Sequence, residues 1–261
     1  MEQRAINFKM TQWKNVVFAL FVRQLRSEFN DKFGLSWAVI QPVAFILLLG
    51  LVRGRIDGGL THGMDTFAFM MLGMVPIKAL MLGLGKVSTA LKRDKPLYAF
   101  RQVQPISSLI TATMLQMSIS IAVIFVLWVL CFLADIDLEM SDPLTAMVLM
   151  ALLYVLLFAI GVFFAIAEQF VPEISKVREL FTMPMLFISG VFFSLQDIPE
   201  DLWFLLIWNP FLHIVELLRH AAYPEFSVNG VSLSYVLVVT MVSLFFSMAI
   251  YFLNWKRAVS I

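Results

Sequence analysis

Six stretches of mostly apolar residues, each near or above the length a bilayer demands, constrain this chain more than any other feature. They run from Gly34 to Val52, Phe67 to Leu84, Ile106 to Ala134, Leu144 to Ala167, Glu179 to Leu195 and Ser232 to Leu253. A hydrocarbon core about 30 Å thick takes roughly 20 such residues per helix. With 61% hydrophobic and 14% charged residues against about 25% charged in a soluble domain, the chain fits an all-α membrane protein of six transmembrane helices. The same numbers exclude an ordinary soluble enzyme, a disordered chain and a disulfide scaffold. Cys131 is the lone cysteine, inside an apolar run, and is silent about redox compartment.

Six crossings put both ends on one side, and the basic residues say which. With the N-terminus inside, the inner segments carry six Lys and Arg in 1–33, five in 85–105, two in 168–178 and two in 254–261. The outer segments carry two in 53–66, none in 135–143 and one in 196–231. Fifteen against three is a strong positive-inside asymmetry, giving N-in and C-in. Trp13, Trp37 and Trp255 then fall near the inner boundary and Trp128, Trp203 and Trp208 near the outer one, as interfacial belts require. Residues 1–33 hold nine charges and no short apolar region before a small-residue cleavage site, so the N-terminus is expected to be kept. The whole of 1–261 reads as one membrane domain, with a net charge of +1 that offers no field for nucleic acid.

Four segments do not read as passive spans. From Trp13 to Phe29, helical spacing puts Asn15, Ala19, Arg23 and Arg26 on one stripe and Trp13, Val16, Val17, Leu20, Phe21 and Leu25 on the other side. That predicts an amphipathic helix on the inner leaflet, serving either as a topology anchor or in admitting a lipid-linked substrate. In the loop 85–105, Val87, Ala90 and Leu91 repeat at helical spacing beside Lys86, Lys92, Arg93 and Lys95, with Asp94 between and Pro96 as a stop. A short amphipathic helix there offers a docking surface. Gly85-Lys86-Val87 lacks the hydroxyl residue and the upstream glycine of a phosphate loop, which is absent throughout the chain.

Lys78, in Gly73-Met-Val-Pro-Ile-Lys78, falls near the middle of the second stretch. A cation at that depth costs about 2.5–3.5 kcal/mol on insertion scales, so it is read as facing a pathway for an anionic substrate or a distant carboxylate such as Glu168. The outer segment 195–231 is too apolar for a soluble loop and too broken for a span, with Leu202–Trp208 interrupted at Asn209-Pro210 and a second helix ended by Pro224. Re-entrant or interfacial helices gating the outer mouth are the expectation. On the second piece His213, Glu216 and His220 share a face. Two histidines and one carboxylate are a thin metal set, and the favoured reading is a solvated polar stripe with Glu216 pairing Arg219 or His220.

No nucleophile, base and orienter fall together, and away from the span ends the spans leave essentially one charged residue, Lys78, so neither an enzyme nor an ion-coupled carrier is favoured. A permease powered from outside its own chain remains. Trp37-Ala-Val-Ile-Gln-Pro42 after a basic arm, Arg101-Gln-Val-Gln-Pro105-Ile, Val171-Pro-Glu-Ile-Ser-Lys-Val177, Ile198-Pro199 and Trp208-Asn-Pro-Phe-Leu-His-Ile-Val-Glu-Leu-Leu-Arg219 resemble ABC-2 type permeases over nearly the whole chain. Among these the chain is most similar to the permease subunit of capsular polysaccharide exporters of Gram-negative bacteria.

The resemblance implies a homodimer in the bacterial inner membrane, bound to two copies of a separate P-loop ATPase that brings ATP and Mg, with no cofactor, metal or catalytic residue in this chain. It implies that Lys86, Val87, Leu91, Lys92, Arg93, Asp94 and Lys95 couple to the ATPase. The outer re-entrant helices of the family map onto 196–223, with Trp203, Trp208, Asn209, His213, Glu216, Arg219 and His220, and the interfacial helix onto 13–29, with Trp13, Arg23 and Arg26. The implied cargo is a lipid-linked anionic glycan passed to a periplasmic adaptor and an outer-membrane polysaccharide export protein. O-antigen, a teichoic-type polymer or a drug are alternative cargoes, and a membrane-embedded enzyme acting on lipid headgroups is the distant alternative.

Overall fold

The computed structural model describes residues 2–30, 34–136 and 138–260, so the last residues assigned to the arm, 31–33, lie outside the described residues. In order the elements are α1 (Glu2–Asn30), α2 (Gly34–Ile56), a two-residue hairpin of β1 (Leu60–Thr61) with β2 (Met64–Asp65), α3 (Thr66–Arg93), α4 (Pro105–Leu133), α5 (Pro143–Phe170), α6 (Ile174–Ile188), α7 (Pro210–Ala222) and α8 (Leu233–Ser260). Helices α2, α3, α4, α5 and α8 are long and apolar enough to cross a membrane.

The helix starts are written in the sequence. Asp65 accepts the Phe67 N–H at 2.7 Å to cap α3. Asp142 accepts the Thr145 hydroxyl at 2.6 Å and the Thr145 N–H at 3.0 Å ahead of Pro143. Those two bonds hold the Asp142 carboxyl below the usual carboxylate range. Asn209 accepts the Phe211 N–H at 3.0 Å ahead of Pro210. In each case a short polar side chain satisfies one N–H that the first turn leaves orphaned. At α4, α5 and α7 a proline at the first position removes another.

Helices α3 and α5 form the centre of the bundle and are mostly buried, whereas α2 and α8 present most of their surface outward. Glycine sets the approach of the central pair. A Cβ on Gly161 of α5 would stand 2.5 Å from Val87 Cγ1 of α3, and one on Gly83 of α3 would stand 2.4 Å from Leu157 Cδ1 of α5. The two glycines lie on opposite helices, so each accommodates a branched side chain of the other.

Two of the expected helices differ in the structure. The fifth apolar stretch is not one long helix: α6 stops at Ile188, about 22 Å after its start at 1.5 Å per residue. Ser189 and Gly190 then turn the chain, with Gly190 at φ 69°. Glycine is required there, because an L side chain is strained at that φ and its Cβ would lie 2.7 Å from Leu212. Second, Lys86–Lys95 is not a separate helix. Residues 86–93 are the last two turns of α3, which runs unbroken for 28 residues before Asp94 and a 3-10 turn over Lys95–Ala99. Pro96 stops the helix, whereas Pro76 sits inside it without ending it.

Replacing Gly161 by Ala is expected to cost about 1–3 kcal/mol through overpacking against Val87. Thermal unfolding of the purified protein checks it, and adding Val87→Ala should restore most of the lost stability.

Candidate functional site

Two clusters of polar side chains sit at opposite ends of α3. The first gathers around Arg219 on α7. Its side chain and that of Glu216 are both 0% exposed. The guanidinium has five N–H groups and makes five contacts. Nη1 donates to Glu216 Oε1 at 3.1 Å and to the Phe193 carbonyl at 3.2 Å; Nη2 donates to the Val191 carbonyl at 3.1 Å and the Phe69 carbonyl at 3.3 Å; Nε donates to Phe69 at 3.4 Å. The guanidinium carbon lies 3.4 Å from the Phe69 ring centroid, so its face is covered as well. Glu216 takes a further bond from the Ser194 hydroxyl at 3.0 Å.

The local sequence explains why the cluster forms here. Past Gly190 the backbone leaves the helical ladder, so the Val191 and Phe193 carbonyls need outside donors. Gly73 on α3 opens the space, since a Cβ there would stand 2.8 Å from Arg219 Nη2 and 3.1 Å from Val191 Cα. Asn209 closes the same segment by donating Nδ2 to the Ile188 carbonyl and to Ser189 Oγ, both at 3.1 Å.

The expected solvated stripe is therefore buried at His213 and Glu216 and half-buried at His220. His213 donates Nε2–H to the Ile207 carbonyl at 2.7 Å and accepts the Ser232 N–H on Nδ1 at 2.9 Å, which fixes its tautomer. His220 donates Nδ1–H to the Phe226 carbonyl at 2.9 Å. The Glu216–Arg219 pairing is present, but these groups hold backbone together instead of facing water. Both nitrogens of His213 are occupied, and among the described residues no three His, Cys, Asp or Glu side chains could share a metal ion. Trp203 donates to the Ile198 carbonyl at 2.8 Å and Trp208 to the Leu205 carbonyl at 2.5 Å, with Trp208 largely exposed.

The second cluster centres on Asp94, also 0% exposed. Arg23 of α1 pairs with it, Gln24 of α1 donates Nε2 to it at 3.2 Å, and Arg93 lies at 3.3 Å. Lys86 adds a bridge to Glu28 of α1 at 3.2 Å. Arm and turn are thereby fastened to each other. Along α1, Asn15, Ala19, Arg23 and Arg26 are exposed while Val17, Leu20 and Gln24 are buried, which matches the amphipathic stripe. Trp13 is half-buried.

Within the turn, burial divides the expected residues. Val87, Leu91 and Asp94 face inward and cannot touch a partner, whereas Lys92, Arg93 and Lys95 are exposed and Lys86 is half-buried. The sequence reading missed Gln24, an uncharged residue on the arm, and Phe100, whose ring is 63% exposed beside Arg101. An aromatic directly after a basic turn and ahead of a proline-capped helix was the available signal for Phe100. Lys78 belongs to neither cluster; its ammonium stands 3.6 Å from the centroid of the Phe45 ring on α2.

The chain matches the profile of the ABC-2 type transporter family over residues 15–223. It is 32% identical over 239 residues to the polysialic acid transport protein KpsM of Escherichia coli, covering 91% of this chain and 93% of that protein. It is also 25% identical over 230 residues to the capsule polysaccharide export inner-membrane protein BexB of Haemophilus influenzae, covering 85% and 84%. The corresponding figures for the capsule polysaccharide export inner-membrane protein CtrC of Neisseria meningitidis are 22% over 249 residues, 91% and 90%.

Removing one partner of a fully buried ion pair costs about 3–5 kcal/mol. Arg219→Gln is expected to lose that much stability and to expose the 189–209 backbone to protease, whereas Glu216→Gln combined with Arg219→Met should cost less than the two single changes added together. Thermal unfolding and limited proteolysis read both.

Proposed function

Since the chain belongs to the ABC-2 type transporter family, we propose that it is the transmembrane permease subunit of an ATP-driven exporter that moves a lipid-linked anionic capsular polysaccharide across the bacterial inner membrane. Two copies form the permease, and two copies of a separate P-loop ATPase bind it and carry the ATP and Mg. A periplasmic adaptor and an outer-membrane polysaccharide export protein receive the polymer. This chain performs no bond-breaking chemistry of its own.

One observation carries the mechanism. Helix α3 is one continuous helix of 28 residues, about 42 Å along its path with Pro76 inside it, with the exposed Lys92 and Arg93 at one end and the Phe69 carbonyl under Arg219 near the other. A push on the basic turn therefore reaches the Arg219 cluster without passing through a loop. In this reading α6 and the non-helical backbone after it complete a fifth crossing, giving six with both ends inside. Irregular backbone at membrane depth is tolerated where protein satisfies its polar groups, which is what Arg219 and Asn209 do for residues 188–193. The segment from Trp203 to His220 is the outer gate, and Arg219 is its fastening to α3.

The docking face for the ATPase is the exposed set Lys92, Arg93 and Lys95, joined by Phe100, with Asp94 beneath them holding the arm. The arm then moves with the turn, which gives the interfacial helix a part in admitting the lipid end of the cargo.

Reversing the exposed charges that make no contact with Asp94, with Lys92→Glu and Lys95→Glu together, should leave folding intact and break the link between ATP hydrolysis and export. ATPase activity of the co-expressed complex and surface polysaccharide are the two readouts. Unchanged surface polymer in that variant would remove the turn from coupling.

A further inference from the structure

The tip of the hairpin between α2 and α3 reaches the broken segment past α6. Its two central residues are His62, at φ 51°, and Gly63, at φ 81°. A two-residue turn with positive φ at both positions is built most readily by Asn-Gly or Gly-Gly, because most L side chains are disfavoured there. Asparagine would therefore make this turn at least as well, and what histidine adds is its ring.

The ring makes two kinds of contact. Nε2 donates to Asp197 Oδ1 at 2.9 Å, and the imidazole stacks on Phe69 and meets Phe226 edge-on, each with centroids 5.9 Å apart. Both routes lead to Arg219. Asp197 accepts the Ser194 N–H on its other oxygen at 2.8 Å, and the Ser194 hydroxyl donates to Glu216, the partner of Arg219. Phe69 covers the Arg219 guanidinium with its ring and accepts from it through its carbonyl.

His62 belongs to the connection between α2 and α3, Asp197 to the one between α6 and α7. Among the described residues no backbone hydrogen bond joins the hairpin to the segment around Asp197. The two side chains are 30% and 43% exposed, and a pair so open to water is weakly held. This junction can part and re-form while the helix ladders on either side stay whole.

We propose that the hairpin is a latch on the outer segment, with His62 the positioning residue that holds Asp197 while the mouth is closed and releases it when polymer passes. The assignment deepens the export reading and rests on it for what passes. The fastening itself belongs to this chain alone and can be measured without transport.

The one native cysteine, Cys131, is buried, so His62→Cys with Asp197→Cys presents an accessible thiol pair on a quiet background. In a strain lacking its own copy of the chain, bridging that pair with a short reducible bis-methanethiosulfonate should stop the accumulation of surface polysaccharide, and reduction should restore it. Each single cysteine variant, treated alike, should export as wild type. A bridged chain that still exports at the wild-type rate overturns the latch, as does a pair the reagent fails to bridge. Amide hydrogen exchange on the purified chain gives a second readout, comparing wild type with His62→Asn, which keeps the turn and removes the ring. Exchange at 194–198 should rise roughly threefold, the scale of a partly exposed ion pair, while 57–66 keeps its wild-type rate. Unchanged exchange at 194–198 is the result expected of a residue that serves the turn alone, and it overturns the fastening. Failure of the wild-type chain itself to restore surface polysaccharide would contradict the export reading, while the exchange comparison still decides the fastening, so the two readings fail separately.

Discussion

The backbone between α6 and α7 departs from the helix among apolar side chains, and its carbonyls have nowhere to turn but to one another's elements. Arg219 answers that constraint. A single planar fork reaches three carbonyls on two segments and one carboxylate, with no N–H left over. Lysine, with three donors on a point charge, could not do the same. Glu216 keeps the site from holding an uncompensated charge, and Ser194 ties it to the chain just past the turn. Gly73 and Gly190 are the backbone positions that let the fork sit where it does, one by leaving room and the other by supplying the left-handed turn. The polar residues of α7 thus build the architecture of this segment.

At the opposite end of α3, Asp94 plays a similar part with the charges exchanged. It ends the helix, accepts from the arm through Arg23 and Gln24, and sits under the exposed basic turn. Between the two nodes α3 packs tightly on α5 through Gly83 and Gly161. A helix fastened to an arm at one end and to a broken segment at the other is the connection on which the proposed coupling rests.

Much of this was legible in the sequence because lipid-facing and core-facing helices share one signature, a long apolar run. The runs Ile106–Ala134 and Leu144–Ala167 lie within a few residues of α4 and α5. The run Phe67–Leu84 recovered only part of α3, because hydropathy fades at Lys86 while the hydrogen-bond ladder continues to Arg93. Glu179–Leu195 went astray for the opposite reason: apolar residues persist past Ile188, but Gly190 turns the chain. His213, Glu216 and His220 stand at helical spacing in the sequence with Arg219 as a partner for Glu216, and that pairing is present, but their surroundings are not the solvent expected. The histidines and Arg219 bond to main-chain groups, which no side-chain pattern displays. Asp94 stands in the sequence among the residues implied to couple to the ATPase, and its burial is not legible there because it depends on α1 coming back to cover it.

The claim that organises all of this is that the chain is moved by a motor it does not contain. Purification of the tagged protein from its native membrane in mild detergent, with quantitative mass spectrometry of what accompanies it, tests that claim most directly. The account predicts a P-loop ATPase in equimolar amount. Recovery of the chain without any ATPase, under conditions in which other membrane complexes stay intact, would contradict it.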